Sequence, residues 1–176
     1  MPTNVIVPTI DTERLHLRGY RLDDFEEYAT MLSDPRFLQH VASQPISRED
    51  VWARILRYIG HWAVFGYGVW AIEEKATGQY AGEVGFSNLE RDISPPFGDA
   101  PEAGWGLAPR LHGQGFAKEA TAGIHRWFDA EFGPKRTVCM IRPDNTASMR
   151  IAEKCGYHEL HRVPYRGAPM VVLARN

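Results

Sequence analysis

The segment from Glu102 to Phe132 constrains the fold of this chain more than any other, because it leads from a strand to a helix through a turn that contains glycine. Residues 102–108 are predicted to form a strand, and residues 115–132 a helix. One face of that helix is apolar and carries Phe116, Ala120, Ile124 and Phe128. The pattern predicts a sheet with this helix packed against it.

The turn itself is a candidate anion site. Gly113 and Gly115 have no Cβ, so the backbone there can approach a ligand closely. The start of a helix adds unpaired N–H groups and the positive end of the helix dipole. The alternative is a turn that needs glycine only for its dihedral angles. Phe116 stands where a Walker A loop requires Lys, and Lys118 stands where a dinucleotide fingerprint requires a small residue, so both motifs are excluded.

The rest of the chain alternates between strand and helix patterns, and its length predicts one domain over residues 1–176. Ser47 and Asp50 have the spacing of a capping box, Asp34-Pro35 is expected to stop the preceding helix, and Gly66 is expected to end the next one. The predicted strands are 13–20, 68–74, 79–89, 102–108, 136–142, 157–163 and 169–175, and the further helices are 22–32, 47–65 and 145–155. This order predicts an α/β or α+β domain.

Composition and charge exclude several classes of protein. The chain has 20 Lys and Arg against 22 Asp and Glu, scattered along its length, so no broad basic face for nucleic acid is expected. No apolar run approaches the roughly 18 residues that cross a bilayer, and the N-terminus lacks the basic region of a secretory signal. Cys139 and Cys155 are expected to be reduced thiols. We therefore expect a cytoplasmic protein that binds neither nucleic acid nor membrane.

Five segments, in matching order from about residue 11 to 174, resemble one known family. The run from Arg110 to Ala117, with Gly113 and Gly115 at the third and fifth positions after the arginine, resembles the acetyl-CoA pyrophosphate loop of the GNAT acetyltransferase superfamily. The other segments are similar to its RimJ/RimL-like branch. They are Thr12 to Arg18, Gly82 to Phe86, Glu102 to Leu107, and Asn145 to Ser148 with Ala152 to Tyr157.

The resemblance implies a GNAT fold, a single mixed and mostly antiparallel sheet of six to seven strands with helices on both faces. It implies an acetyl-CoA-dependent N-acetyltransferase, without a metal, in which a primary amine attacks the thioester directly. The amine would be a protein N-terminal α-amino group or a small molecule, selected by the first two helices and by the loop of residues 90–101. The alternatives are a non-catalytic acyl-CoA sensor of the same fold and an unrelated nucleotide-phosphate binder. Both a monomer and a homodimer are compatible with the sequence.

The resemblance also implies the residues that hold the cofactor. The backbone from Trp105 to Ala108 would pair with the pantetheine arm like an added strand, and an N–H near Leu107 would polarise the thioester carbonyl. The N–H groups of the following loop would hold the pyrophosphate. The cofactor-binding residues are Trp105, Leu107, Arg110, His112, Gly113, Gln114, Gly115, Phe116, Ala117 and Asn145. For Asn145, helix capping alone is the alternative explanation.

Two residues are predicted to be catalytic. Glu102, at the start of the cofactor strand, is the candidate general base, with Glu83 on the neighbouring strand as the second choice. The alternative for either carboxylate is a solvated or structural role. Ser148 is the candidate that helps the thiolate leave, and packing is its alternative explanation. Many members of the superfamily carry a tyrosine acid in the late helix, but this chain has Ala152 there.

A metal site is not predicted. Cys155, His158 and His161 supply donor atoms at a spacing of three, but we expect His158 and His161 to project from opposite faces of a strand.

Overall fold

The computed structural model describes residues 5–39, 41 and 45–176. Within them, eight strands form one sheet and five α-helices pack against it. The strands are β1 (Ile10–Asp11), β2 (Leu15–Arg18), β3 (Val69–Glu74), β4 (Tyr80–Ser87), β5 (Glu102–Leu107), β6 (Thr137–Ile141), β7 (His158–Tyr165) and β8 (Ala168–Arg175). The helices are α1 (Phe25–Ser33), α2 (Pro35–Leu38), α3 (Arg48–Phe65), α4 (Phe116–Phe132) and α5 (Thr146–Lys154).

The sheet has the order β1-β2-β3-β4-β5-β6-β8-β7. Every neighbouring pair is antiparallel except β5 and β6, which are parallel. The predicted mixed, mostly antiparallel sheet is confirmed, with eight strands where six to seven were expected. The additional strand is the two-residue β1, which is too short to give a periodic pattern.

The helix boundaries follow the capping residues that the sequence contains. The Ser47 hydroxyl accepts the Asp50 N–H at 3.1 Å and caps α3, and Gly66 ends that helix with φ 71°. The first helix stops before Asp34, as expected, but α2 starts directly afterwards. Pro35 suits the first position of a helix, and Asp34 accepts the Arg36 N–H at 2.8 Å. Asp34-Pro35 therefore both ends α1 and begins α2.

Apolar side chains form one core on each face of the sheet. On the first face, α1, α2 and α3 pack against β3 and β4 through residues such as Tyr28, Phe37 and Ile55. On the second face, α4 and α5 pack against the sheet, and the four predicted apolar residues of α4 are all buried there. The helices thus lie on both faces, as the resemblance implied.

A bulge in β7 changes the expected orientation of two histidines. His158 lies opposite Ala174 and His161 opposite Val172, with a register shift between Glu159 and His161. Ala174 and Val172 are two residues apart and share a face, so the histidines share a face as well. The expectation of opposite faces is wrong, because the extra residue in β7 restores the period of two. Even so, the part of the chain described here contains no group of three His, Cys, Asp or Glu placed to hold a metal ion.

Candidate active site

The centre of the sheet opens between β5 and β6. These strands share one paired position, Glu102 with Val138, and the Val138 N–H donates to the Pro101 carbonyl at 3.0 Å. Beyond that point the two strands carry no further paired positions, whereas β5 stays paired with β4 over six residues. A gap therefore runs along the free edge of β5 from Gly104 to Leu107.

The backbone of β5 presents alternate residues to this gap. The Ala108 N–H donates to the Ala81 carbonyl at 2.9 Å, which directs Ala108 toward β4. The direction of the backbone N–H and C=O groups alternates along a strand. Those of Gly106 and Gly104 therefore also point to β4, and those of Leu107 and Trp105 point into the gap. The His112 ring donates from Nε2 to the Leu107 carbonyl at 2.9 Å. The polar groups of Trp105 and the N–H of Leu107 also face the gap, and binding of an extended ligand there stays a prediction.

The glycine turn lies at the end of this edge and leads into α4. Gly113 and Gly115 have φ values of 75° and 81°, a left-handed conformation in which any other residue would be strained. Gly115 is the N-cap of α4, so the N–H groups of Phe116, Ala117 and Lys118 have no acceptor within the helix. The structure thus brings the predicted loop from His112 to Ala117 to the mouth of the gap.

Arg110 contributes to the loop in a different way from its neighbours. Its guanidinium donates to the Glu74 carboxylate at 2.5 Å and to the Tyr80 carbonyl at 3.0 Å. These bonds tie the 3-10 turn of Pro109–Leu111 to strands β3 and β4. The Arg110 side chain therefore supports the loop from the sheet.

Asn145 and Ser148 begin the helix on the far side of the gap. The Asn145 side chain caps α5 by accepting the Ser148 N–H at 3.1 Å. The Trp105 indole N–H donates to the Ser148 hydroxyl oxygen at 3.2 Å, linking β5 to α5. Because Trp105 supplies a donor, the hydroxyl proton of Ser148 stays free for another acceptor.

Glu102 forms a largely buried ion pair with Arg91. Both of its carboxylate oxygens accept from Arg91, at 2.5 and 2.8 Å, and Arg91 also donates to the Tyr165 hydroxyl at 3.0 Å. The Glu102 side chain is 11% exposed and that of Arg91 20%. A bidentate pair of this kind holds both side chains in one orientation, so Glu102 is placed to orient Arg91 and Tyr165, and its role as base stays a prediction.

Glu83 lies among tyrosine hydroxyls on the same face of the sheet. Its Oε2 accepts from Tyr28 at 2.6 Å and from Tyr20 at 3.3 Å. The Tyr20 and Tyr80 hydroxyls are 2.7 Å apart, and Arg54 hydrogen-bonds to Tyr28. Burial raises the pKa of each of these tyrosines, so all remain protonated donors at neutral pH. The hydrogen bonds from Tyr28 and Tyr20 to Glu83 both reach Oε2.

The two carboxylates border a groove that is open at Gly104 and covered by Phe37 at Gly106. Glu83 lies opposite Gly106 and Ser87 lies opposite Glu102, so all four project to the face covered by α1 and α2. Between them, Gly104 has no atom within 4 Å of the place where a Cβ would stand. The Phe37 ring packs against Gly106, 2.9 Å from the corresponding Cβ position. Four residues of strand separate Glu83 from Glu102, about 13 Å, which is room for a small substrate or a chain terminus.

Tyr157 lies outside this site. Its hydroxyl is 2.8 Å from both His125 Nε2 and Thr137 Oγ1, deep in the core of the α4 face. Burial raises its pKa well above the ordinary range, so it is not an accessible acid. Ala152 is also fully buried. The structure therefore offers no tyrosine in the late helix for protonation of a leaving thiolate.

The comparisons with known proteins agree with this geometry. The acetyltransferase (GNAT) domain family matches residues 14–158, which include the β5 edge, the glycine turn and Ser148. This chain belongs to the GNAT acetyltransferase family. Over 114 residues it is 32% identical to the protein YkkB of Bacillus subtilis (strain 168), a match that covers 62% of this chain and 63% of that protein. It is 23% identical over 152 residues to the uncharacterized N-acetyltransferase p20 of Bacillus licheniformis, covering 86% and 83%.

Solved structures share the GNAT fold over nearly the whole chain. A GnaT-family acetyltransferase from Bordetella pertussis superposes with a TM-score of 0.87 at 27% identity, covering 97% of this chain and 100% of that one. An acetyltransferase from Agrobacterium tumefaciens str. C58 has a TM-score of 0.82 at 26% identity and covers 100% and 98%. The fold is also that of RimL, a ribosomal L7/L12 α-N-protein acetyltransferase solved with coenzyme A, with a TM-score of 0.78, 20% identity and coverage of 96% and 97%. Of the residues described, no helix is long and apolar enough to cross a membrane.

Proposed function

We propose that this GNAT protein is an acetyl-CoA-dependent N-acetyltransferase of the RimJ/RimL-like branch that acetylates a primary amine. The observation that carries the proposal is the free backbone edge of β5, which faces the gap at Trp105 and Leu107 and ends at the glycine turn. An extended amide chain with an anionic end complements this arrangement. The pantetheine arm would pair with the edge, and the pyrophosphate would rest on the N–H groups from Gly113 to Ala117.

The acceptor amine would enter from the opposite direction, across Gly104. It reaches the thioester through the groove between Glu83 and Glu102, which is open at Gly104. A protein N-terminus and a small amine both fit an opening of this kind. RimL, which shares the fold, is named as an α-N-protein acetyltransferase, and this favours a peptide N-terminus as the first acceptor to test.

Glu83 is the better placed of the two candidate bases. An ammonium must lose a proton before it attacks, and a carboxylate with one free oxygen can accept that proton directly or through water. Both oxygens of Glu102 are engaged by Arg91, whereas Tyr28 and Tyr20 bind Oε2 of Glu83. We therefore assign the base to Glu83, the second choice from sequence, and a supporting role at the groove to Glu102.

The transfer step balances with the groups present. The ammonium gives its first proton through Glu83 to water, which returns Glu83 to the carboxylate. The amine nitrogen then forms a bond to the thioester carbonyl carbon, and its surplus proton passes to Glu83. The carbon–sulfur bond breaks and leaves the thiolate of CoA. The Ser148 hydroxyl, whose oxygen accepts from Trp105, keeps its proton and donates a hydrogen bond to that sulfur.

Thermal unfolding with acetyl-CoA, CoA and ATP in parallel tests the cofactor. A ligand present at about 100 times its Kd stabilises the native state by about 2.7 kcal/mol, which raises the unfolding midpoint by several degrees. We expect the two CoA species to raise the midpoint and ATP to have little effect. An ATP effect as large as that of CoA would favour the nucleotide-phosphate binder.

A panel of amines, beginning with short peptides, then tests catalysis through release of the CoA thiol. Binding of acetyl-CoA with no thiol release from any amine would favour the acyl-CoA sensor. No midpoint shift with either CoA species at millimolar concentration would refute the cofactor assignment itself.

A further inference from the structure

A single arginine, distant in sequence, holds the glycine turn in place. Arg14 precedes β2, yet its guanidinium donates to the Gln114 carbonyl at 3.0 Å and lies 4.0 Å from the centre of the Phe116 ring. One of its terminal nitrogens is 3.6 Å from the position that a Cβ on Gly115 would occupy. Arg14 therefore contacts three consecutive residues of the turn from outside the loop.

Glu119 fixes the orientation of this arginine. The Glu119 carboxylate accepts from Arg14 Nε at 2.7 Å, from the Arg14 backbone N–H at 2.8 Å and from the Thr12 hydroxyl at 2.6 Å. Burial alone would raise the pKa of Glu119, but these donors hold it below its ordinary value. The carboxylate is thus ionised at neutral pH and locks the planar guanidinium in one direction.

The start of α4 keeps a net positive charge after Arg14 pairs with Glu119. The N-terminus of α4 already carries the positive end of the helix dipole, and a cation there is unfavourable. Lys118 adds a second positive charge in the same first turn, where Glu119 is the one acid and Arg14 engages it. The Arg14 side chain nevertheless remains 40% exposed beside the turn. The positive charge at the start of α4 and the unused N–H donors of Arg14 complement an anionic ligand.

We propose that Arg14 is a ligand of the cofactor pyrophosphate and the residue that sets the shape of its loop. The inference rests on the proposed function. A guanidinium has five N–H donors, and the contacts to Glu119 and Gln114 leave two of them for phosphate oxygens. Arg14 holds the loop in place before the cofactor binds. The pyrophosphate then neutralises the positive charge that remains at the start of α4.

The Arg14→Gln variant tests this with a matched set of ligands. Dephospho-CoA keeps the pyrophosphate and lacks the 3′-phosphate, whereas S-acetylpantetheine lacks both. We expect Arg14→Gln to weaken CoA and dephospho-CoA equally, by about 10- to 100-fold, the usual range for a charge-assisted hydrogen bond. The KM for S-acetylpantetheine should stay within about twofold of the wild-type value. Arg14→Lys, which keeps the charge and loses the fork, should be intermediate.

Arg48 provides a control in the same chain. Its guanidinium lies 4.5 Å from the Phe25 ring and pairs with both oxygens of Glu26, so its local surroundings match those of Arg14 at a distance from the turn. Arg48→Gln should leave CoA affinity unchanged. The change in CoA affinity and the change in the KM for S-acetylpantetheine are both measured on the same folded Arg14→Gln protein. A loss of stability in this variant therefore does not obscure the ratio of the two changes.

Three results would overturn the inference. One is unchanged CoA affinity in Arg14→Gln, and another is an equal loss for CoA and S-acetylpantetheine, which a general disruption of the fold predicts. The third is a loss for CoA with none for dephospho-CoA, which would place Arg14 at the 3′-phosphate. If the wild-type protein bound neither CoA nor dephospho-CoA, the proposed function would fail, a result distinct from these three.

Discussion

Glu83 and Glu102 are chemically identical side chains on one face of the sheet, and their neighbours give them different capacities. The Arg91 guanidinium engages both oxygens of Glu102, whereas neutral tyrosine hydroxyls bind one oxygen of Glu83. The two environments are the reason that we propose Glu83 as the base and Glu102 as a positioning group.

We expect Glu83→Gln to lower kcat/KM for the amine by at least about 100-fold, because a general base typically contributes that much. Glu102→Gln is the matched control. It should raise the KM for the amine by loosening Arg91 and Tyr165, with a much smaller loss of kcat than in Glu83→Gln. The opposite pattern, with the larger loss of kcat in Glu102→Gln, would restore the assignment made from sequence.

Ser148 and Trp105 form a second test at single residues. Ser148→Ala should lower kcat by about tenfold, the value of one net hydrogen bond in the transition state. Trp105→Phe should have a similar effect, because the indole N–H directs the serine hydroxyl. The double variant should be no worse than Ser148→Ala, since both changes remove the same interaction. Fully additive losses would show that Trp105 acts independently, and Trp127→Phe controls for loss of an indole elsewhere.

At the scale of elements, local patterns predict most of the secondary structure. Ser47 and Gly66 bound α3, and α4 begins one residue after the predicted position. Caps and left-handed glycines depend on a few adjacent residues, so a linear pattern records them. The bulge in β7 was not predictable in this way, because a bulge is defined by the partner strand opposite it. A one-residue shift there moved His161 to the face of His158.

The pairing of β5 with β6 also belongs to the element scale. The sequence predicts both strands, but only their parallel arrangement and early divergence open the gap. The free edge of β5 exists because β6 leaves it after one position. Strand length and register, rather than composition, determine this.

For the whole molecule, a buried histidine couples stability to pH. His125 links α4 to the core through bonds to the Thr121 carbonyl at 2.7 Å and the Tyr157 hydroxyl at 2.8 Å. A carbonyl can only accept, so Nδ1 carries the proton and Nε2 accepts from Tyr157. Burial lowers the pKa of His125 below its ordinary value of 6.5. Protonation would place a donor against this network in the core.

The lowered pKa fixes the sign of the pH effect. The unfolded chain takes up a proton near pH 6.5 and the folded chain only below that, so the contribution of His125 is complete above pH 6.5 and decreases as the pH falls. One such group changes the free energy of unfolding by at most about 1.4 kcal/mol per pH unit. We expect a His125→Gln variant to show a shallower fall in unfolding midpoint from pH 7 to 5 than the wild type. The exposed His158→Gln should keep the wild-type slope, and an unchanged slope in His125→Gln would contradict the assignment.

The sequence alone determined the order of elements, the glycine turn at the start of α4 and the cap residue Asn145, because each depends on neighbours within a few positions. It also carried Arg14 in a segment that resembles the family, without indicating its partner. The tertiary structure decided which charges meet. Glu119 pairs with Arg14 across 105 positions, Tyr28 bonds to Glu83 across 55, and Arg91 takes Glu102 from the loop between β4 and β5. Such contacts depend on strand register and helix packing, which no local pattern encodes, so the proposal of Glu83 as the base rests on the tertiary structure.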